Sequence, residues 1–148
     1  MSEYIHKSHN VSVLIYHFVC PAKYRRAVFN LEVVDKKLKE VCLEISKRYE
    51  IVFLEIGTDK DHVHFLIQSV PMYSPKQIVQ TVKSITAKEI FKTCPEVKTQ
   101  LWGGEFWSDG YFVNTVGKSG NEYSIQNYIK KQDIEKYTQL HKQQLTLF

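Results

Sequence analysis

From residue 10 the chain stays apolar through NVSVLIYHFVC and then meets Pro21, which predicts a strand over residues 10–20 buried on at least part of both faces. A basic-aromatic connection, PAKYRRAVFN, follows at residues 21–30. Leu31, Val34, Leu38, Val41, Cys42 and Ile45 then recur at helical spacing, with Lys36, Lys37, Lys39 and Glu40 on the other side, predicting a helix to about Tyr49. Residues 51–56 (IVFLEI) and 62–70 (HVHFLIQSV) flank the turn-forming cluster GTDKD and predict an antiparallel hairpin.

Ser74 precedes Pro75 and stands three residues before Gln77, offering an N-cap, a proline at the first helical position and a capping-box partner together. The helix that starts there carries Ile78, Val82, Ile85 and Ile90 on its apolar side and runs to about Thr93. After Pro95 comes a short segment to Trp102, and then a strand from about Gly110 to Val116. Gly117 to Gly120 break that strand, and Ser119 or Asn121 can cap a final helix through YSIQNYIKKQDIEKY. The order β-α-β-β-α-β, then α, is that of an α+β, ferredoxin-like antiparallel sheet with two helices on one face. Its first and third strands form the central pair, so residues on the third strand sit in mid-sheet.

A chain of 148 residues, 43% hydrophobic, closes one core and hardly two. One domain over residues 1–148 is expected, with a core over about 10–135 and a tail over about 136–148. The longest apolar stretch is about half the roughly 20 residues of a membrane helix, and MSEYIHKSHN has no apolar signal-peptide region, so a cytoplasmic protein without membrane contact is expected. Cys20, Cys42 and Cys94 are odd in number and lie in or beside apolar segments, which points to core thiols rather than disulfides or a cysteine zinc site. The formal charge of +4 permits a polyanionic partner without requiring one.

His62 and His64 are two apart on a predicted strand, so both imidazoles share a face while Val63 and Phe65 point the other way. Two imidazoles in an apolar mid-sheet setting call for hydrogen bonds or a metal ion. Tyr128 and Gln132, four apart on the last helix, also share a face. Asp61 faces away from the histidines by strict alternation, which favours a turn role. Glu55, across the hairpin, is the candidate for orienting a histidine from behind.

Together these segments resemble a known family. DHVHFLIQSVP at residues 61–71 resembles the His-hydrophobic-His motif of the HUH endonucleases, and NYIKKQ at 127–132 resembles the single-tyrosine motif of their transposase branch. PAKYRRAVF at 21–29 and LWGGEFWSDGYFVNTVG at 101–117 are similar to that branch as well. Its members are small transposases of insertion sequences that move as single-stranded DNA, with relatives associated with repetitive extragenic palindromes. The resemblance implies that Tyr128 is the nucleophile, joined to the 5′ end of the cut strand, and that His62, His64 and Gln132 hold the metal. Ligand preference alone suits manganese, cobalt or zinc; the resemblance points to Mg2+ or Mn2+, with no nucleotide cofactor. It also implies DNA hairpins near element ends as substrate, and a homodimer whose catalytic helix serves its own or the partner's histidines.

Candidate phosphate contacts are Lys23, Arg25 and Arg26 in the connection, Lys83 and Lys88 on the second helix, and Lys118, Lys130 and Lys131 near the tyrosine. Unstacked bases could lie on Tyr24, Trp102, Phe106, Trp107 or Tyr111. Three other readings stand beside a DNA-strand transferase: a non-catalytic single-strand binder on a ferredoxin-like sheet, a metal-dependent hydrolase without a covalent intermediate, and a domesticated relative that processes chromosomal palindromes.

Overall fold

The computed structural model describes residues 4–101 and 104–117. Tyr128, Gln132, Lys118, Lys130, Lys131 and the final helix expected to carry the tyrosine lie outside these residues, as does Trp102.

Four strands form the main antiparallel sheet: β3 (Leu14–Pro21), β4 (Val52–Thr58), β5 (His62–Ser69) and β6 (Phe112–Thr115), in the order β4-β5-β3-β6. The central pair is therefore β3 with β5, as the βαββαβ order requires. Ahead of it, β1 (Ile5–His6) and β2 (Val11–Ser12) make a small separate hairpin. The expected strand from residue 10 is thus divided, and its first residues pair locally.

The helices α1 (Glu32–Arg48) and α2 (Pro75–Thr93) start and stop near their expected limits. At the start of α2 the Ser74 hydroxyl accepts from the Gln77 backbone N–H at 3.1 Å, and the Gln77 side chain accepts from the Ser74 N–H at 2.8 Å. This reciprocal pair satisfies two helix-end donors. Pro95 opens a short third helix, α3 (Pro95–Gln100), where only a connecting segment was expected.

One face of the sheet, carrying Phe18, Cys20, Val63, Phe65 and Ile67, packs with Val34, Leu38 and Ile45 of α1 and Ile78, Val82 and Ile90 of α2. The three cysteines are buried and unbridged. On the other face Ile15 and Leu66 pack with Val13, Leu54 and Val116. Register places His17 opposite Leu66 and Val19 opposite His64, so His17, His62 and His64 share this second face, away from α1 and α2.

One irregularity matters for the site. Phe53 pairs with Ile67, but Glu55 pairs with Leu66, so Leu54 is the extra residue of a β-bulge. The bulge returns Ile56 to the helix-packed face opposite Phe65 and sets Gly57 opposite His64.

Candidate active site

His62 and His64 lie at the start of the central strand β5 and are buried, at 4% and 6% exposure. The connection after β3 is clamped beside them. The Ala22 N–H donates to the Asp61 carbonyl at 2.9 Å, the Lys23 N–H to the Phe106 carbonyl at 2.9 Å, and the Phe29 N–H to the Lys60 carbonyl at 3.1 Å. The Ser108 N–H donates to the Pro21 carbonyl at 3.0 Å. Residues 21–29, the turn before β5 and the segment around 106–108 therefore meet at the histidine end of the sheet.

Asp61 departs from expectation. Its Oδ1 lies 3.0 Å from Nδ1 of His62, and its Oδ2 accepts from Nη2 of Arg25 at 2.6 Å. Strand alternation does not govern Asp61 because it precedes the first residue of β5, so its side chain is free to turn back on its neighbour. An ionised carboxylate only accepts, so Nδ1 of His62 must be the donor. In the neutral ring this leaves Nε2 with the lone pair that could accept a hydrogen bond or a cation, the arrangement found behind many metal-binding histidines. Burial opposes the charge on Asp61, but the His62 hydrogen bond and the Arg25 guanidinium outweigh it and hold the carboxyl below its ordinary range.

Arg25 reaches Asp61 from a strained turn. Tyr24 and Arg25 both have φ of 56°, in the left-handed region that side chains other than glycine seldom occupy. That turn leaves Tyr24 56% exposed. Glu55, opposite Leu66, shares a face with the histidines, but among the described residues its carboxylate makes no hydrogen bond to either ring. The orienting carboxylate on His62 is Asp61, which the identity of the residue before the motif could have signalled.

The His64 ring meets two residues that sequence patterning passed over. His17 of β3, fully buried, stands edge-on to it at 6.0 Å between ring centroids. Burial, then the neighbouring His64, lower the His17 pKa to about 3, against a hydrogen bond with Asn114 that raises it. Gly57 of β4 is the second. The one available signal for His17 was the shared parity of β3 and β5 once their pairing was assumed.

The basic residues divide sharply. Lys23 pairs with Glu105 at 2.8 Å, and Arg25 is engaged by Asp61. Lys83 turns inward, donating to the carbonyls of Ser108 at 2.7 Å, Asp109 at 3.3 Å and Gly110 at 2.9 Å. Arg26 and Lys88 are exposed. Two expected stacking platforms are core residues instead. Phe106 is 1% exposed and Trp107 5%, with Trp107 Nε1 donating to the Thr86 hydroxyl at 3.0 Å. Their rings join Phe29, Phe65 and Phe91 in an aromatic cluster, where large apolar rings gain more from burial and edge-on packing than from solvent exposure.

Among the described residues no three His, Cys, Asp or Glu side chains form a metal-binding group. His62 and His64 supply two nitrogen donors, and the tautomer set by Asp61 fits a divalent cation on His62. The third expected ligand, the Gln132 amide, lies outside the described residues.

A central antiparallel strand with paired histidines, helices on the opposite face and a basic connection clamped alongside define a site of the HUH type. Residues 10–132 match the family described as "Transposase IS200 like", and the chain belongs to that family. The ISDra2 transposase TnpA of Deinococcus radiodurans is 32% identical over 119 residues, covering 80% of this chain and 84% of that protein. The transposase for insertion sequence element IS200 of Salmonella typhimurium is 33% identical over 120 residues, covering 79% and 75%. Among solved structures, a candidate transposase from Deinococcus radiodurans R1 superposes with a TM-score of 0.69 at 30% identity, covering 86% of this chain and 97% of that one. A REP-associated tyrosine transposase bound to a REP hairpin shares the fold, with a TM-score of 0.51 at 10% identity over 80% of this chain and 64% of that one. No helix among the described residues is long and apolar enough to cross a membrane.

Proposed function

We propose that this transposase cleaves and rejoins single-stranded DNA at insertion-sequence ends through a 5′-phosphotyrosine on Tyr128. The observation that carries this reading is the pair His62 and His64, buried on one face of the central strand with Asp61 fixing the His62 ring. In the cleavage step the Tyr128 phenolic oxygen bonds to the scissile phosphorus and the bond from phosphorus to the 3′ oxygen breaks. The proton lost by the phenol is matched by the one gained at the new 3′ hydroxyl. Phosphodiester energy is conserved in the phosphotyrosine, so no nucleotide cofactor is needed and rejoining is the reverse step.

A phenol with an ordinary pKa of about 10 is a weak nucleophile at neutral pH and needs local positive charge. His62, His64 and Gln132 would hold a Mg2+ or Mn2+ ion, which when bound would neutralise charge on the scissile phosphate. Arg26 and Lys88 carry their charge into solvent and are the surface candidates for phosphate, with Tyr24 for a stacked base. Lys118, Lys130 and Lys131 lie near the nucleophile in sequence, the last two within three residues of it, and extend the same basic character. The family resemblance supports hairpin recognition at element ends and a homodimer in which two cleavages are coupled.

The test incubates the full chain and its Tyr128→Phe variant with labelled hairpin DNA from the ends of its own element, with Mg2+ or Mn2+, and looks for an adduct on a denaturing gel. An adduct formed only when Tyr128 is present is the expected result. Cleavage without an adduct would instead make the protein a hydrolase, and binding without cleavage a recognition module.

A further inference from the structure

Gly57 has no obvious reason to be a glycine. It lies inside β4, its φ is outside the left-handed region, and a strand-interior glycine costs stability relative to residues with side chains. Its surroundings supply the reason. A Cβ built on Gly57 would overlap Nε2, Cε1 and Cδ2 of His64, all of them ring atoms and none the end of a flexible chain. The two residues are direct partners across β4 and β5, so the His64 imidazole lies over the bare backbone of its neighbour.

The bulge makes this pairing possible. In the register of Val52 with Gln68 and Phe53 with Ile67, continued without interruption, Ile56 would stand opposite His64. A branched side chain would then occupy the space of the ring. The extra residue at Leu54 shifts the pairing by one, sending Ile56 to the core against Phe65 and bringing Gly57 to His64. On the far side, His17 closes the ring in from β3.

We propose that Gly57 is a positioning residue of the metal centre: its missing side chain is the cradle of the His64 imidazole, and the β4 bulge exists to deliver it there. This rests on the reading of His64 as a metal ligand. A ring displaced by a neighbouring methyl group would no longer present its nitrogen in common with His62.

The experiment titrates Mn2+ alone into four full-length proteins, wild type, Gly57→Ala, His64→Ala and the double variant, by calorimetry, and measures their melting temperatures. Gly57→Ala is expected to weaken Mn2+ binding by about tenfold or more, as loss of a supporting contact does at other metal sites. It should also lower the melting temperature in the wild-type background and not in the His64→Ala background, where no ring is present to collide with. Wild-type Mn2+ affinity in Gly57→Ala, beside lost affinity in His64→Ala, would overturn the proposal. So would an equal fall in melting temperature in both backgrounds, which would make Gly57 a requirement of the strand and not of the ring. Undiminished Mn2+ binding by His64→Ala would instead remove the metal-centre reading itself, and with it the basis of this one.

Discussion

Nδ1 of His62 lies 3.0 Å from Oδ1 of Asp61, and the other oxygen of that carboxylate is held by Arg25 at 2.6 Å. A histidine at the start of the central strand is thereby tied to the connection that leaves the neighbouring strand. The left-handed backbone of Tyr24 and Arg25 is the strained element in that tie. Strain of this kind, of order 1–3 kcal/mol per residue, persists only where surrounding contacts enforce it.

Asp61→Asn should keep the fold and lose much of the control over the His62 ring. We expect metal affinity to fall by about 10- to 100-fold, read by Mn2+ titration, with binding of hairpin DNA in EDTA unchanged. Unaltered metal affinity would show that Asp61 serves only the turn.

Arg25 and Arg26, adjacent in sequence, should behave differently. Arg26 is exposed and without an ion-pair partner among the described residues, so Arg26→Ala should reduce the slope of log affinity for single-stranded DNA against log salt by about 0.7, the loss of one phosphate contact. Arg25→Ala should act mainly through Asp61, lowering metal affinity with a smaller change in salt slope. Equal slopes for both variants would place the two arginines in one role.

Lys83→Met removes a cation from three carbonyls. The variant should lose about 2 kcal/mol of stability in denaturant unfolding, since the carbonyls of Ser108, Asp109 and Gly110 lose their shared donor. Its salt dependence of DNA binding should match wild type. A reduced slope would mean that Lys83 leaves this loop for phosphate when DNA binds.

His17 supplies a pH signature for the metal-free protein. Burial holds its pKa at about 3 against an ordinary 6.5, so between these values the unfolded chain binds a proton that the folded one does not. The stability is complete above pH 6.5 and is lost as pH falls toward 3, at a slope approaching about 1.4 kcal/mol per pH unit from this residue. His17→Gln should flatten that slope, measured by urea unfolding at a series of pH values. A slope unchanged by the substitution would assign the acid sensitivity to other groups.

Much of the molecule was legible in local sequence because the signals were short-range. The Ser74, Pro75 and Gln77 cap, the helical spacing from Leu31 to Ile45 and the apolar run ending at Pro21 each state their element within a few residues. The shared face of His62 and His64 follows from the two-residue period of a strand and needed no partner. α3 and the β1–β2 hairpin were less visible, since six residues or two pairs carry too little periodicity to stand out.

The sequence by itself determined the βαββαβ order of the main sheet and its two long helices, the sharing of one face by the paired histidines and, through its motifs, the family. Tertiary structure alone decided what surrounds them. Pairing of β3 with β5 brought His17 to His64, and a one-residue bulge chose Gly57 over Ile56 as its neighbour. Closure of the 21–29 connection onto the 59–61 turn committed Arg25 to Asp61, and packing under α2 turned Trp107 and Lys83 inward. Most of these contacts join distant parts of the chain, Arg25 with Asp61, Lys83 with Ser108 and Trp107 with Thr86, and even Gly57 with His64, neighbours in one hairpin, depends on a register that the bulge resets. Local spacing carries no record of that.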